Sequence, residues 1–179
     1  MTLLNHPLLT ERAQVEPRNN VGRPSVLVFG QFKPDRDIDL MAQLSESMGT
    51  GVDFRVSGRG WPDIDGWAMD RRFVPELEID PLIRSASAVL IPYRRFFQSG
   101  VAIRCLEQGT PVVGPAESSL AEVLLEDRLL GQDEDVSSWM RAIRAAIDTD
   151  REDWAKVRRR YLEGTDAQWT EWINGWKKR

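Results

Sequence analysis

The sequence predicts an α/β domain: a doubly wound, mainly parallel sheet flanked by helices and followed by a helical C-terminal tail. Three observations lead there. Short, unbroken apolar runs at residues 25–29 (SVLVF), 88–92 (AVLIP) and 111–113 (PVV) are what strands buried on both faces require. Between them, at 38–48, 99–109 and 136–147, apolar residues recur at helical spacing. The two patterns alternate along the chain, which is the signature of βαβ units joined by crossovers.

Composition narrows the class. At 179 residues the chain suits one domain able to bury a core without staples. With 24 basic against 28 acidic residues the net charge is -4, so no nucleic-acid partner is expected. Cys105 is the single cysteine, which precludes an internal disulfide and fits a cytoplasmic, reducing setting. No apolar run reaches the roughly 18 residues of a membrane span, and the first residues lack the basic-then-apolar order of a secretory leader. His6 is the sole histidine, which leaves a histidine-based metal site or catalytic triad without support.

In chain order, residues 1–24 carry the punctuation HP, EP, NN and RP and read as an irregular arm or linker remnant. Residues 25–149 form the expected sheet domain. The first strand, 25–29, ends at Gly30. Residues 38–48 place Ile38, Leu40, Met41 and Leu44 on one helical face, with Asp37 and Asp39 where the helix dipole favours acids. Residues 52–57 alternate apolar and polar as a second strand, closed by the glycine-rich 58–60. Residues 61–69 have no clear pattern; their two tryptophans suit a sheet edge or the frame of a pocket. A third short strand is expected at 71–74, and a helix from Pro75 whose N-terminal turn is marked by Asp80-Pro81.

The central unit, 88–115, reads as strand, loop with Arg94 and Arg95, helix opening on Ser99-Gly100 and closing on Gly109, then strand. A helix at 117–125 has Ser118 or Ser119 as its cap, residues 129–131 form a short strand or turn, and 136–147 give a helix striped by Trp139 and Ile143. The tail, 150–179, holds four of the seven tryptophans and is expected to split into two helices at Gly164. Such aromatic anchors dock either on this domain's own sheet or on a partner domain.

Ligands of doubly wound sheets collect where the βα loops converge. Those loops here follow Gly30, Ser57, Pro92 and Val113. They bring Lys33 and Arg36, then Arg59, then Arg94 and Arg95, to the same edge as the helix start Ser99-Gly100-Val101. Guanidinium forks and free backbone amides are what a phosphate needs. Each arginine alone reads as a solvated charge; their convergence favours an anion site. G-x-G-x-x-G, G-x-x-x-x-G-K-[ST] and G-x-S-x-G are all absent. Asp35, Asp37, Asp63 and Asp65 form no acid/base couple by spacing.

These residues carry a resemblance. VLVFGQFKPDRDIDLM (26–41) is similar to the first strand and phosphate loop, FGRxxxxKG, of the C-terminal, donor-binding half of GT-B-fold glycosyltransferases of the family-4-like type. FRVSGRG (54–60) resembles that family's second strand and glycine turn, and residues 73–115 resemble the run from the base-contacting loop through the pyrophosphate helix to the G-x-P-V-V strand. The similarity covers about 25–147. It implies a Rossmann-like nucleotide-sugar-binding domain, with a UDP- or GDP-sugar as donor substrate, no further cofactor, and cations in place of a metal.

Residue by residue, the resemblance implies a diphosphate site at Gly30, Gln31, Lys33, Arg36, Ser99, Gly100 and Val101, with Gln31 standing where many members have arginine. It implies a base and ribose site at Gly58, Arg59, Phe73, Val74 and Arg104. Many members hold the ribose with a glutamate of a central pair; the matching positions are Phe96 and Arg104, and an arginine has donors only. The resemblance further implies sugar transfer to a polysaccharide, lipid or other envelope acceptor, and a partner bearing the acceptor, either an N-terminal domain or a separate subunit. The tail is then an interdomain surface, with a second copy of the chain as the other candidate partner. Catalytic residues are unassigned, and the isolated domain is expected to be inactive. A non-catalytic module for a nucleotide-sugar, or for another phosphorylated metabolite, is the alternative.

Overall fold

A computed structural model describes residues 4–8, 22–94 and 100–176. Six parallel strands, β1 (Ser25–Phe29), β2 (Asp53–Ser57), β3 (Trp67–Asp70), β4 (Ala88–Leu90), β5 (Val112–Pro115) and β6 (Leu130–Gly131), lie in the order β3-β2-β1-β4-β5-β6. The expected doubly wound, Rossmann-like architecture is therefore present. Chain progression reverses between β1 and β4, and every strand points its carboxyl end at one edge. Val26, Leu27, Val28, Val112 and Val113 are fully inaccessible, as their unbroken apolar runs require.

Among the described residues six α-helices cover the sheet: α1 (Ile38–Met48), α2 (Glu76–Arg84), α3 (Gly100–Gln108), α4 (Ser119–Leu124), α5 (Val136–Asp148) and α6 (Arg151–Trp176). α1 packs on α5, and α2 on α3. Right-handed crossovers running in opposite directions from β1 put these two pairs on opposite faces. The α1 N-terminus is capped by Asp37, whose carboxylate accepts from Leu40 N at 3.0 Å; Asp135 does the same for α5 and Ser118 for α4.

Four expectations need correction. The third strand is at Trp67–Asp70, not at 71–74: Arg71 and Arg72 are drawn off the sheet by ion pairs, Arg71 with Asp63 and Arg72 with Asp70 and Glu78. Pro81 lies inside α2 rather than in its first turn, which Glu76 and Glu78 occupy behind the cap residue Pro75. Its missing N–H falls opposite the exposed Leu77, where water can take the freed carbonyl. α4 is shorter than 117–125, because Leu125 adopts a left-handed conformation and stops it.

The tail is one continuous helix. Gly164 sits on its exposed side with open space around it, so it costs only about 1 kcal/mol in helix propensity. Tyr161 and Thr165 on the buried side hold the helix across it. The first half of α6 docks on this domain through Trp154, Val157 and Tyr161. Farther along, Trp169, Trp172 and Trp176 form a ladder of ring contacts, with Trp172 and Trp176 exposed. Residues 4–8 run along α6. The Tyr161 hydroxyl donates to His6 O at 2.7 Å, Trp169 Nε1 donates to Asn5 O at 3.0 Å, Asn5 N donates to the Gln168 side chain at 3.0 Å, and Leu8 enters the core.

Candidate functional site

A cleft of about 260 Å³ opens over the carboxyl ends of β1 and β2 and the N-terminus of α2. Gly30, Gln31, Gly58, Arg59, Phe73 and Val74 all line it, so half of the expected donor-site residues meet in one place. Arg72, Glu76 and Ile79 complete the wall beside Phe29.

The floor is backbone. Gly30 N donates to Ser57 O at 3.0 Å, Gly58 N to Asp70 O at 2.9 Å, and Phe32 N to Arg59 O at 2.9 Å. At Gly58 φ is +151°, and a Cβ there would stand 2.1 Å from Gly30 O; only glycine lets the two βα loops approach so closely. The walls are side chains. Phe73 is 64% exposed, and the Arg59 guanidinium lies 5.2 Å from its ring centroid. This flat, cation-backed aromatic surface suits stacking by a planar ligand. Val74, also on the cleft wall, is buried. Gln31 and Lys33 are exposed on the first loop.

Arg104, the residue at the expected ribose position, turns to α2. Its Nε is 2.5 Å from Asp80 Oδ1 and its NH1 2.6 Å from Glu76 Oε1. Burial opposes the charged guanidinium, but the hydrogen bonds to Asp80 and Glu76 outweigh it and raise its pKa. In place of an unpaired donor, the structure gives Arg104 two carboxylates.

In place of an exposed contact for diphosphate, Arg36 has a buried side chain. It is 5% exposed and packed between the rings of Tyr93, at 4.3 Å, and Trp61, at 5.1 Å. Its NH2 donates to Phe29 O at 3.1 Å, while Trp61 Nε1 donates to Gly30 O at 2.7 Å. Burial lowers its pKa, Tyr93 partly opposing this, and its Nε has no hydrogen-bond partner among the described residues. The backbone bridge between Arg36 and Tyr93 fixes this cluster across β1 and β4, at the switch point itself. Trp61 thus settles what the unpatterned stretch 61–69 does: one tryptophan closes the switch point, and Trp67 belongs to β3 and donates to Met41 O.

Arg94 is also occupied, by Asp37 and Asp39 at 3.1 Å each, on the rim of a second, acid-lined cleft of about 570 Å³ between the starts of α1 and α5. Ser99, like Arg95 and Phe96, lies outside the described residues. Gly100 opens α3, exposed, and Val101 packs partly on the core in its first turn. Sequence reasoning missed Glu76 and Ile79. The signal for Glu76 was its place directly after Pro75, on the first turn of a helix starting at the ligand edge. Among the described residues no group of His, Cys, Asp or Glu side chains could hold a metal ion, and no helix is long and apolar enough to cross a membrane.

Comparison with protein-family models gives no match, nor does comparison with curated protein sequences. Solved structures do match. An α,α-trehalose-phosphate synthase (UDP-forming) from Burkholderia xenovorans, in complex with glucose-6-phosphate, superposes with a TM-score of 0.65 at 12% identity, over 82% of this chain and 40% of that one. The lipopolysaccharide outer core galactosyltransferase WaaB superposes at 0.69 with 12% identity, over 97% and 55%. A sucrose-phosphate synthase from Thermosynechococcus elongatus gives 0.64 at 17% identity, over 97% and 49%. The fold is thus the Rossmann-like α/β fold of GT-B glycosyltransferases. The chain spans about half the length, or less, of these three structures.

Proposed function

We propose that this chain is the donor-binding half of a nucleotide-sugar-dependent glycosyltransferase, and that the cleft takes a UDP- or GDP-sugar. The observation that carries the reading is the meeting of Gly30, Gln31, Gly58, Arg59, Phe73 and Val74 in one cleft at the carboxyl edge of a fold shared with glycosyltransferases. Phe73, Val74 and Arg59 receive the base. The 30–33 loop with Lys33, and the start of α3 at Gly100, receive the diphosphate. The acceptor comes from an N-terminal domain or separate subunit, the hexosyl group goes to an envelope polysaccharide or lipid, and the domain alone does not turn over.

Calorimetry with UDP, GDP and their sugars tests this. Wild type binds at least one of them, and Phe73→Ala weakens that binding about tenfold by loss of stacking with an unchanged melting temperature. A folded wild-type protein that binds none of the four overturns the proposal. The second reading, a non-catalytic nucleotide-sugar or phosphometabolite module, is favoured by the engagement of Arg104 with Glu76 and Asp80. It expects binding without sugar transfer even when a complete acceptor half is supplied.

A further inference from the structure

The cleft is electrically lopsided. Along its Arg59 side lie a cation with no ion pair among the described residues and the glycine-built floor. Arg72, the other cation of the wall, is committed to Asp70 at 3.0 Å and Glu78 at 2.6 Å. On the α2 side stands Glu76, the one carboxylate among the lining residues. Arg104 holds it by one oxygen, yet its side chain remains 70% exposed, so most of its lone pairs face the cleft and solvent. Two carboxylates around one guanidinium leave this cluster with a surplus negative charge. Such a group repels phosphate and attracts hydroxyl donors.

The three participants do different work. Asp80 and Arg104 are 19% and 21% exposed and tie α2 to α3. Glu76 is exposed enough that its own ion pair contributes little to folding, and its position is nevertheless fixed by Arg104.

We infer that Glu76 is the acceptor for the ribose hydroxyls of the bound nucleotide and that Arg104 is its positioning residue, a carboxylate on α2 standing in for the glutamate that the resemblance matches to position 104. This rests on the donor-binding reading above. The base then stacks at Phe73, the diol meets Glu76, and the diphosphate extends toward the Gly30 loop, where the charge reverses.

The test is the affinity ratio between each ribonucleotide, UDP or GDP, and its 2′,3′-dideoxy analogue, measured by calorimetry on the full chain. Wild type prefers the ribonucleotide about tenfold, the effect of one hydrogen bond to a charged acceptor. Glu76→Gln and Glu76→Ala bring the ratio close to one without lowering the melting temperature. Arg104→Met lowers the ratio, and Asp80→Asn lowers the melting temperature while keeping it. A ratio unchanged in both Glu76 variants, or no ribose preference in wild type, overturns the inference while leaving nucleotide binding in place. An Asp80→Asn ratio that falls as far as that of Glu76→Gln overturns it too, because the cluster would then act only as structure. Absence of any nucleotide binding to folded wild type overturns the donor-binding reading and this inference together.

Discussion

The carboxyl edge of the sheet holds two unlike places. Over β1 and β2 the floor is backbone, and the side chains of Arg59, Phe73 and Glu76 are exposed, Glu76 held at one oxygen by Arg104. Between β1 and β4, where a doubly wound sheet ordinarily opens for its ligand, the fixed part is a side chain: Arg36, enclosed by Trp61 and Tyr93. The same residue type, on neighbouring loops, stands open at one place and enclosed at the other. Burial rather than charge distinguishes them, and burial comes from partners distant in sequence.

Substitutions can break that contrast. Gly58→Ala should have the largest effect, about 3 kcal/mol of lost stability in denaturant titration, since its Cβ would meet a neighbouring backbone carbonyl at a φ that L residues rarely adopt. Arg36→Ala should cost about 2 kcal/mol, the loss of two ring contacts and a hydrogen bond offset in part by relief of an arginine that is costly to bury. If Arg36→Ala instead leaves stability intact and weakens only nucleotide binding, the two places are not different in kind.

Asp37→Ala should cost about 1 kcal/mol as a lost helix cap. Burial raises the Asp37 pKa, but the Arg94 and Leu40 hydrogen bonds outweigh this and hold it below the ordinary carboxylate value. Its contribution is therefore complete above that ordinary value, about 3.9, and disappears as pH falls from there through the lowered folded value. Acid titration of wild type against Asp37→Asn should show that extra loss in wild type only. Phe73→Ala should change stability least, by less than about 0.5 kcal/mol, because its ring is mostly in solvent.

Much of this was legible beforehand, and the misses have a common cause. β1, α1 and α5 were written in apolar runs and helical periodicity that burial then satisfied. The short β3 was misplaced because its alternation covers only Trp67–Asp70 and Arg71 follows without a break in polarity. Gly164 looked like a break and Pro81 like a first-turn residue, yet each falls inside a helix on an exposed side where the defect is cheap. For the site, the glycine turns were visible as local motifs, and the Phe73-Val74 pair came from the resemblance. The Arg36, Trp61 and Tyr93 cluster, and the Arg104 pairing with α2, join residues from separate elements, and no local pattern announces such a contact.

The strip at residues 4–8 has a consequence for the order in which the molecule comes apart. The bond from Asn5 to Gln168 closes a loop of 163 residues. Closing such a loop in an unfolded chain costs on the order of 4 kcal/mol in entropy, comparable with what its few hydrogen bonds and the burial of Leu8 return together. The strip therefore latches after the sheet has already brought α6 to it, and it should be the first segment to lift away. Amide hydrogen exchange at Asn5 should accordingly be fast and independent of global unfolding, while Leu27 in β1 exchanges only when the whole domain opens.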